Sequence, residues 1–244
     1  MWRQALRRVV RGVLDLFYPP LCLLCGADLD HHESLVCSAC LARLPLIGPS
    51  SCPRCSRPLH SPNGHAHLCG PCRLTARPVL DRVVACGEFR AGLRQLIHLF
   101  KYRRCQCLAP LLGNLLAQRC LTTQAYCDLD WLAPIPLHWM RQRWRGFNQA
   151  RELARYVSLA SGIPLLPRSA LRRVRRTTPQ VRLTAAGRAA NVAGAFALSS
   201  PHLVRGTRVA LVDDVLTTGA TSSECARVLL RAGASAVRLF VLAR

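Results

Sequence analysis

Apolar positions change their spacing along the chain at about Pro78. Beyond this residue, compact apolar runs predict β-strands over 79–89, 130–138, 209–212 and 235–244. Segments with apolar positions at helical spacing alternate with these strands, over 91–105, 108–121, 146–162 and 222–234. The alternation predicts an α/β fold with a mainly parallel sheet, in which ligands bind beyond the carboxyl ends of the strands.

Two acidic residues at the end of the third predicted strand indicate a ligand site. Asp213 and Asp214 follow the apolar run, and Thr217, Thr218, Gly219, Ala220 and Thr221 lead from them into a helix. Amides in a first helical turn lack an acceptor within the helix, so this loop suits a phosphate group. Carboxylates repel phosphate but accept hydrogen bonds from sugar hydroxyls or from water on magnesium. The pattern therefore indicates a sugar phosphate, although a strand–turn–helix with an aspartate cap would explain either acid alone.

Cysteines dominate the region before Pro78. Four Cys-x-x-Cys pairs occur there, and two such pairs complete a closed, four-thiolate zinc site. Consecutive pairs would give two structural zinc ions, while a cross-braced pairing also fits the spacing. The eight expected ligands are Cys22, Cys25, Cys37, Cys40, Cys52, Cys55, Cys69 and Cys72. We expect the other cysteines to be buried small hydrophobes: Cys86, Cys105, Cys107, Cys120, Cys127 and Cys225.

The first 20 residues carry apolar side chains at helical spacing, at Trp2, Leu6, Val9, Val13 and Phe17. This pattern predicts an amphipathic helix that packs on the protein, with a membrane-surface anchor as the alternative. Arginines interrupt any signal-peptide core, and no window reaches the ~18 apolar residues of a membrane span. We therefore expect a cytoplasmic protein without a membrane span.

The charge of the chain favours anionic partners. It has 34 Lys and Arg against 12 Asp and Glu, a formal net charge of +22. Nucleic acid and phosphorylated small molecules are the expected partner classes. Arginine bias from a GC-rich genome would produce the same excess without a binding role. Lys101 is the only lysine, and we expect its flexible ammonium to have a role, although chance would also leave one lysine.

Taken together, these motifs resemble the ComF/GntX family. Residues 209–221 are similar to the phosphoribosyl pyrophosphate signature of type I phosphoribosyltransferases. The segments 96–102 and 134–154 and the cysteine pairs are similar to other parts of ComF/GntX proteins. The apolar spacing predicts an N-terminal helix over 1–20, and the resemblance implies a double zinc ribbon over 21–77 and a phosphoribosyltransferase-like domain over 78–244. That last domain is expected to have a mainly parallel sheet with helices on both faces.

The resemblance also implies roles for individual residues. Asp213 and Asp214 would hold the ribose hydroxyls, residues 217–221 the 5-phosphate, and magnesium would accompany the pyrophosphate. The expected pyrophosphate residues are Pro136, Leu137, His138, Arg143, Arg145, Asn148 and Gln149. His138 fits both an acid–base group and a turn residue. Residues 172–191 resemble the flexible hood that closes over substrate, with Thr178 and Gln180 as candidate contacts.

Two functions remain from the sequence. The first is phosphoribosyl pyrophosphate binding with magnesium, and pentosyl transfer to an acceptor that no motif identifies. The second is a DNA-uptake protein without turnover, which binds single-stranded DNA through its arginines and the neighbouring rings of Trp131, Trp139, Trp144 and Phe147. A second copy of the chain, or a partner in the competence machinery, is an expected protein partner.

Overall fold

The computed structural model describes residues 2, 20–29, 35–59, 65–102, 105–175 and 184–244. Apart from Trp2 and Pro20, the predicted N-terminal helix lies outside the described residues. So do Thr178 and Gln180 of the expected hood. None of the helices in the described ranges combines the length and the hydropathy that a membrane span needs.

A parallel sheet forms the centre of the described structure. The described strands are β1 (Arg82–Gly87), β2 (Trp131–Pro134), β3 (Leu171–Arg173), β4 (Phe196–Leu198), β5 (Arg208–Val215) and β6 (Ala236–Ala243). The spatial order of the parallel sheet is β1-β6-β5-β2, and every pairing between these neighbours is parallel. The short strands β3 and β4 form a separate antiparallel pair. The predicted α/β class with a mainly parallel sheet is confirmed.

Helices cover both faces of the sheet because its buried strands alternate their side chains. The helices are α1 (Ser38–Ala42), α2 (Gly70–Leu74), α3 (Ala91–Tyr102), α4 (Ala109–Thr122), α5 (Trp139–Arg145), α6 (Gln149–Ser161), α7 (Ala185–Val192) and α8 (Ala220–Arg231). Ala210 and Val212 of β5 belong to a core shared with α3, α4 and α6, whereas Val209 and Leu211 belong to a core shared with α8.

The long helices follow the sequence pattern closely. The buried face of α3 consists of Leu93, Leu96, Ile97 and Phe100, as the spacing predicts. Asn148 caps the start of α6 and Gly162 ends it in a left-handed conformation. The pattern did not predict α5, α7 or the β3–β4 pair. These elements are short, so they carry too few apolar positions for a period to appear.

The cysteine-rich region docks on the edge strand β1. Ile47 N–H donates to Cys86 O at 2.8 Å, and Val83 N–H donates to Arg54 O at 2.7 Å. At Gly87 a Cβ atom would stand 2.6 Å from Pro45 O and 2.6 Å from Leu93 Cδ2. Glycine therefore permits the close approach of this region to the end of β1.

A second contact joins the same region to α3. Gln95 Nε2 donates to Leu23 O at 3.3 Å. Leu24 and Leu44 lie against Gly92 of α3, and Cys22 and Leu44 share a buried core with the apolar face of that helix. The cysteine-rich region therefore supports α3 from outside the sheet. The domain limits at 20 and 77 remain a prediction.

Candidate functional site

A cleft of about 610 Å³ lies at the carboxyl ends of the parallel strands. Phe89 follows β1, Pro136 and Leu137 follow β2, and the segment from Asp213 to Ser222 follows the buried part of β5. The cleft thus occupies the edge at which ligands bind in open α/β sheets. It brings together residues that are more than 100 positions apart in the chain.

The two acids of the cleft face opposite sides of the sheet. Asp213 has the side-chain direction of Leu211, and Asp214 has that of Val212, because β5 continues to Val215. Both carboxylates nevertheless line the cleft, since the sheet ends there. Asp213 Oδ1 also accepts a hydrogen bond from Asp214 N–H at 2.9 Å. Adjacent acids at a strand end therefore reach the same cleft from two sides.

Lys101 binds one of these acids directly. Its Nζ lies 2.8 Å from Asp214 Oδ1, and the two side chains are only 17% and 9% exposed. The pair joins the last turn of α3 to the end of β5. The single lysine of the chain therefore has a specific partner, in a place where a compact ammonium fits beside a carboxylate.

Asp213 has an unusual proton affinity. Burial raises the pKa of its carboxyl, and the neighbouring Asp214 raises it further, to about 7, while Lys101 acts in the opposite direction. A carboxyl with this pKa exists in both protonation states near neutral pH. It is therefore able to accept or to donate a hydrogen bond to a hydroxyl group.

The predicted phosphate loop lies at the start of α8. Gly219 is the N-terminal cap of the helix, with a left-handed φ of 75°, and Ser222 Oγ donates to its carbonyl at 3.0 Å. Thr217, Gly219, Ala220 and Thr221 line the cleft, whereas Thr218 is exposed outside the described lining. The first turn of α8, whose amides lack an acceptor within the helix, therefore lies at the same cleft as the acids.

The residues predicted for pyrophosphate divide into two groups. Pro136, Leu137 and Arg145 line the cleft. Arg145 is held there by Gln149, whose Oε1 accepts from its guanidinium at 3.2 Å, and by the ring of Tyr102, 5.3 Å away.

The second group lies outside the described lining of the cleft. His138 caps α5 and accepts from Met140 N–H at 3.4 Å. Asn148 Oδ1 accepts from Arg151 N–H, and its Nδ2 donates to Ile135 O at 3.2 Å. Gln149 is buried, and Arg143 is exposed. His138, Asn148 and Gln149 thus position the loop after β2, and their direct contact with a ligand stays a prediction.

Several cleft residues were not singled out from the sequence. Arg94, His98 and Tyr102 form the polar face of α3 together with Lys101, and Arg173 and Arg188 face the cleft from the region of β3 and α7. Spacings of four, seven and eight residues from Arg94 place the first group on one helix face. This polar stripe lies away from the apolar face of α3, and its spacing in the sequence could have indicated that these residues share a site.

Each cysteine cluster forms from consecutive pairs. The Sγ atoms of Cys22, Cys25, Cys37 and Cys40 lie within 4.8 Å of one another, and so do those of Cys52, Cys55, Cys69 and Cys72. The Cys25–Cys37 and Cys55–Cys69 Sγ distances are 3.8 and 3.6 Å. Zn–S bonds of about 2.3 Å in a tetrahedron place sulfur atoms about 3.8 Å apart, so both clusters fit zinc. The cross-braced alternative does not apply.

The two clusters have the same construction. Cys37 N–H donates to Cys22 Sγ, and Cys69 N–H donates to Cys52 Sγ, both at 3.4 Å. Burial alone would raise the pKa values of the Cys22 and Cys52 thiols, but backbone hydrogen bonds lower both to about 6. These thiols are therefore prepared to bind a metal as thiolates.

One position differs between the clusters. Gly26 follows the first Cys-x-x-Cys turn with a φ of 73°, and Ser56 takes the equivalent place with a φ of 56°. Ser56 Oγ donates to Val83 O at 2.8 Å and accepts from Ala85 N–H at 3.3 Å. The second cluster is thereby fastened to β1, which offsets the strain of a left-handed serine.

The interpretation of the remaining cysteines holds only in part. Cys86, Cys120 and Cys225 are buried, Cys105 is half-buried, and Cys107 and Cys127 are exposed. The prediction of burial was therefore wrong for Cys107 and Cys127. Cys107 lies in the short 3-10 helix Gln106–Leu108 before α4, and Cys127 lies in the turn after α4. Neither segment is long enough for an apolar period to constrain a side chain.

Comparisons with known proteins cover the cysteine-rich region and nearly the whole chain. Residues 13–92 match the model of the double zinc ribbon domain. The "DNA utilization protein YhgH" of Salmonella typhi is 36% identical over 94% of this chain and 99% of its own length. The "Competence protein F" of Haemophilus influenzae is 32% identical over 93% of this chain and 98% of its own. The chain belongs to the ComF/GntX family. The resemblance derived from its motifs is confirmed.

More distant proteins extend the comparison. "Competence protein ComFC" of Bacillus subtilis is 26% identical to this ComF/GntX chain and covers 92% of it. Among solved structures, the chain is similar to "Structure of the allosteric regulatory enzyme of purine biosynthesis". The TM-score is 0.36 and the identity 24%, over 55% of this chain and 25% of that one.

Zinc content tests the cysteine clusters. We expect elemental analysis to give two zinc ions per chain, and one in a variant with Cys25→Ser and Cys37→Ser, because those thiolates belong to the same site. Cys107→Ser is the control, since Cys107 is exposed and outside both clusters. One zinc or none in the unmodified chain would refute the double ribbon.

The raised pKa of Asp213 predicts that replacing this acid stabilises the protein in a pH-dependent way. Its raised pKa means that the folded state binds the proton more tightly than the unfolded state, so ionised Asp213 lowers the free energy of unfolding as pH rises from about 4 to about 7. Asp213→Asn should therefore stabilise the protein by roughly 2 kcal/mol at pH 8 and by little at pH 4.5. Thermal unfolding at both pH values measures this gain, with Asp81→Asn as the control for loss of one charge. An equal gain at both pH values would contradict the assignment.

Proposed function

We propose that the protein binds phosphoribosyl pyrophosphate and transfers its phosphoribosyl group to an acceptor. The observation that carries this proposal is the convergence of an acid pair, a helix-start phosphate loop and an arginine in one cleft at the carboxyl edge of the sheet. Each of these three groups suits a different part of the ligand. An anion site alone would not need the acids, and a metal site alone would not need the loop.

The assignment of parts follows from charge and reach. The 5-phosphate would lie against the amides at 217–221, where the dipole of α8 favours negative charge. The ribose hydroxyls would donate to Asp213 and Asp214, one from each side of the sheet end. Arg145 is placed to compensate the pyrophosphate, because Tyr102 and Gln149 already fix its guanidinium at the cleft.

Lys101 controls the acid pair in this scheme. Its ammonium lies 2.8 Å from Asp214 Oδ1 and holds this carboxyl group in place, so that it accepts from a hydroxyl without moving. Preorganisation of this kind lowers the cost of binding, because the carboxylate is already positioned when the ligand arrives. Arginine at this position would need more room for its planar fork.

Magnesium is expected to arrive with the ligand. Among the described residues that line the cleft, the acids are Asp213 and Asp214, and Asp214 is already paired with Lys101. The described lining of the cleft therefore offers few carboxylate oxygens for a metal ion, and the pyrophosphate would supply most of the coordination. A bound magnesium ion would neutralise charge on the departing pyrophosphate.

A second candidate function is the handling of single-stranded DNA. The names of the relatives, "DNA utilization protein" and "Competence protein F", and the net charge of +22 favour it. Trp139 and Trp144 are exposed, which suits stacking with bases, but Phe147 is buried against Phe100 and Trp131 donates to Leu203 O. A cytoplasmic location is proposed for either function.

Ligand-induced stabilisation tests the first proposal. Phosphoribosyl pyrophosphate with magnesium should raise the melting temperature of the unmodified chain, because a ligand at 100 times its Kd contributes about 2.7 kcal/mol. The double variant Asp213→Asn with Asp214→Asn should lose this shift. Asp81→Asn with Asp130→Asn is the matched control. Both acids are exposed, and they directly precede β1 and β2, at the amino ends of the strands and away from the cleft.

Two results would contradict the proposal: an unchanged shift in the cleft variant, or no shift in the unmodified chain. The same variants separate the second function. Salt-dependent binding of single-stranded DNA that survives both cleft substitutions would place DNA on a surface independent of the acids.

A further inference from the structure

A pocket separate from the cleft lies at the outer edge of the sheet, beside β2. Its volume is about 80 Å³, and the name edge pocket is used for this space between Pro134, Gln142, Arg151 and Arg168. The described linings of the cleft and of the edge pocket share only positions 136–137. The loop after β2 is therefore a common wall of the two spaces.

The backbone at the sheet edge explains why this pocket opens. Residues 164–166 run beside β2: Leu132 N–H donates to Pro164 O at 2.9 Å, and Leu166 N–H donates to Leu132 O at 2.8 Å. The next donor on this edge would be residue 134, but Pro134 has no N–H. The pairing therefore ends at Leu166, and the edge pocket lies just beyond it.

Two arginines line the edge pocket from different elements. Arg151 lies in the first turn of α6 and is half-buried, and Arg168 lies in the segment after that helix and is exposed. Gln142 of α5 adds a side-chain amide, which is able to donate. The described lining includes no acidic residue. The edge pocket therefore presents donors and positive charge without a carboxylate to balance them.

The charge of Arg151 is poorly compensated. Burial lowers the pKa of its guanidinium, and the positive charge of Arg168 lowers it further, while Glu152 acts in the opposite direction. In the part of the chain that the structure describes, no hydrogen bond or ion pair engages the guanidinium of Arg151 or that of Arg168. Two like charges in a partly buried place favour an anion between them.

The backbone that carries these arginines is already fixed. Asn148 Oδ1 accepts from Arg151 N–H, and its Nδ2 donates to a carbonyl of the loop after β2. Ala170 N–H donates to Pro167 O at 2.9 Å, which holds the turn that contains Arg168. Little backbone order therefore has to be gained when a ligand binds between the two side chains.

We propose that the edge pocket is a second anion site, which binds a phosphate group between Arg151 and Arg168. A water molecule takes roughly 30 Å³, so a pocket of about 80 Å³ suits a compact oxyanion and not a nucleoside. Planar guanidinium groups give such an oxyanion paired, charge-assisted hydrogen bonds. The phosphate group belongs either to free inorganic phosphate or to the backbone of a nucleic-acid strand.

This site goes beyond the phosphoribose site proposed above and does not depend on it. Neither arginine, and none of the other polar groups of the edge pocket, lines the cleft in the described residues. A failure to bind phosphoribosyl pyrophosphate would therefore leave the second anion site standing, and the reverse also holds.

Chemical modification of arginine in the full chain tests the site residue by residue. Phenylglyoxal reacts with free guanidinium groups, and peptide mass spectrometry gives the rate of modification at each arginine. Inorganic phosphate should slow the modification of Arg151 and Arg168 by roughly 10-fold, because a bound oxyanion occupies their donors. Arg155 is the internal control, since it is exposed on the same helix and outside both described linings. Equal protection of Arg155 would overturn the proposal.

Tungstate, a tetrahedral oxyanion whose metal scatters anomalously, locates the site directly. Crystals of the unmodified chain soaked in tungstate should show an anomalous peak between Arg151 and Arg168, and crystals of the variant Arg151→Gln with Arg168→Gln should lack it. The control variant Arg155→Gln with Arg231→Gln loses the same charge from exposed positions and should keep the peak. No peak in the edge pocket of the unmodified chain, or an equal peak in the edge-pocket variant, would contradict the proposal.

A further arm identifies the source of the phosphate. A short oligodeoxythymidine without terminal phosphates is compared with inorganic phosphate in the phenylglyoxal experiment. Protection of Arg151 and Arg168 by the oligomer alone would support a strand phosphate, and protection by inorganic phosphate alone would support the free ion. Protection by neither would overturn the proposal.

Discussion

The ion pair between Lys101 and Asp214 is the contact on which the arrangement of the cleft depends. Its two side chains are largely removed from water, and their charged atoms lie 2.8 Å apart. Removal of one partner from such a pair typically costs about 3–5 kcal/mol, because the other charge is left without compensation. The pair fixes the last turn of α3 against the end of β5. It thereby joins the polar face of α3 to the acids and to the start of the phosphate loop.

The cysteine-rich region stabilises α3, the helix that carries Lys101. Leu23, Leu24 and Leu44 pack on α3, and Ser56 fastens the second cluster to β1. A segment this short buries little apolar surface of its own and obtains much of its folding free energy from metal binding. Zinc at the clusters would therefore stabilise the position of α3, and through α3 the position of Lys101. This arrangement gives a physical reason for a zinc ribbon and a ligand cleft to occur in one chain.

The zinc ligands and the main helices and strands were largely predictable, because each depends on a strong local pattern in the sequence. The Cys-x-x-Cys spacing predicted the ligands of both clusters, and the period of α3 predicted its buried face. The role of Lys101 was not predictable, because its partner is more than 100 residues away and no local pattern encodes that distance. Ser56 gave no signal either, since its two hydrogen bonds depend on how the cluster docks on β1.

The structure gives some residues of the predicted site a structural contact. Asn148 caps α6 and Gln149 accepts a hydrogen bond from Arg145, while their contact with a pyrophosphate stays a prediction. Polar residues at a helix start serve capping and ligand binding equally well, so sequence alone does not separate these uses. Tyr102 and His98 were part of a recognised segment but were overlooked as cleft residues. Their place in the cleft depends on the fold, which brings Phe89 and Trp144 beside them.

We propose that one cleft binds both ends of a phosphorylated ribose. A crystal structure of the protein with phosphoribosyl pyrophosphate and magnesium is the decisive test. We expect the 5-phosphate on the amides of 217–221, the ribose hydroxyls on Asp213 and Asp214, and an intact contact between Lys101 and Asp214. Ligand density away from these acids, or a phosphate bound only by surface arginines, would contradict it.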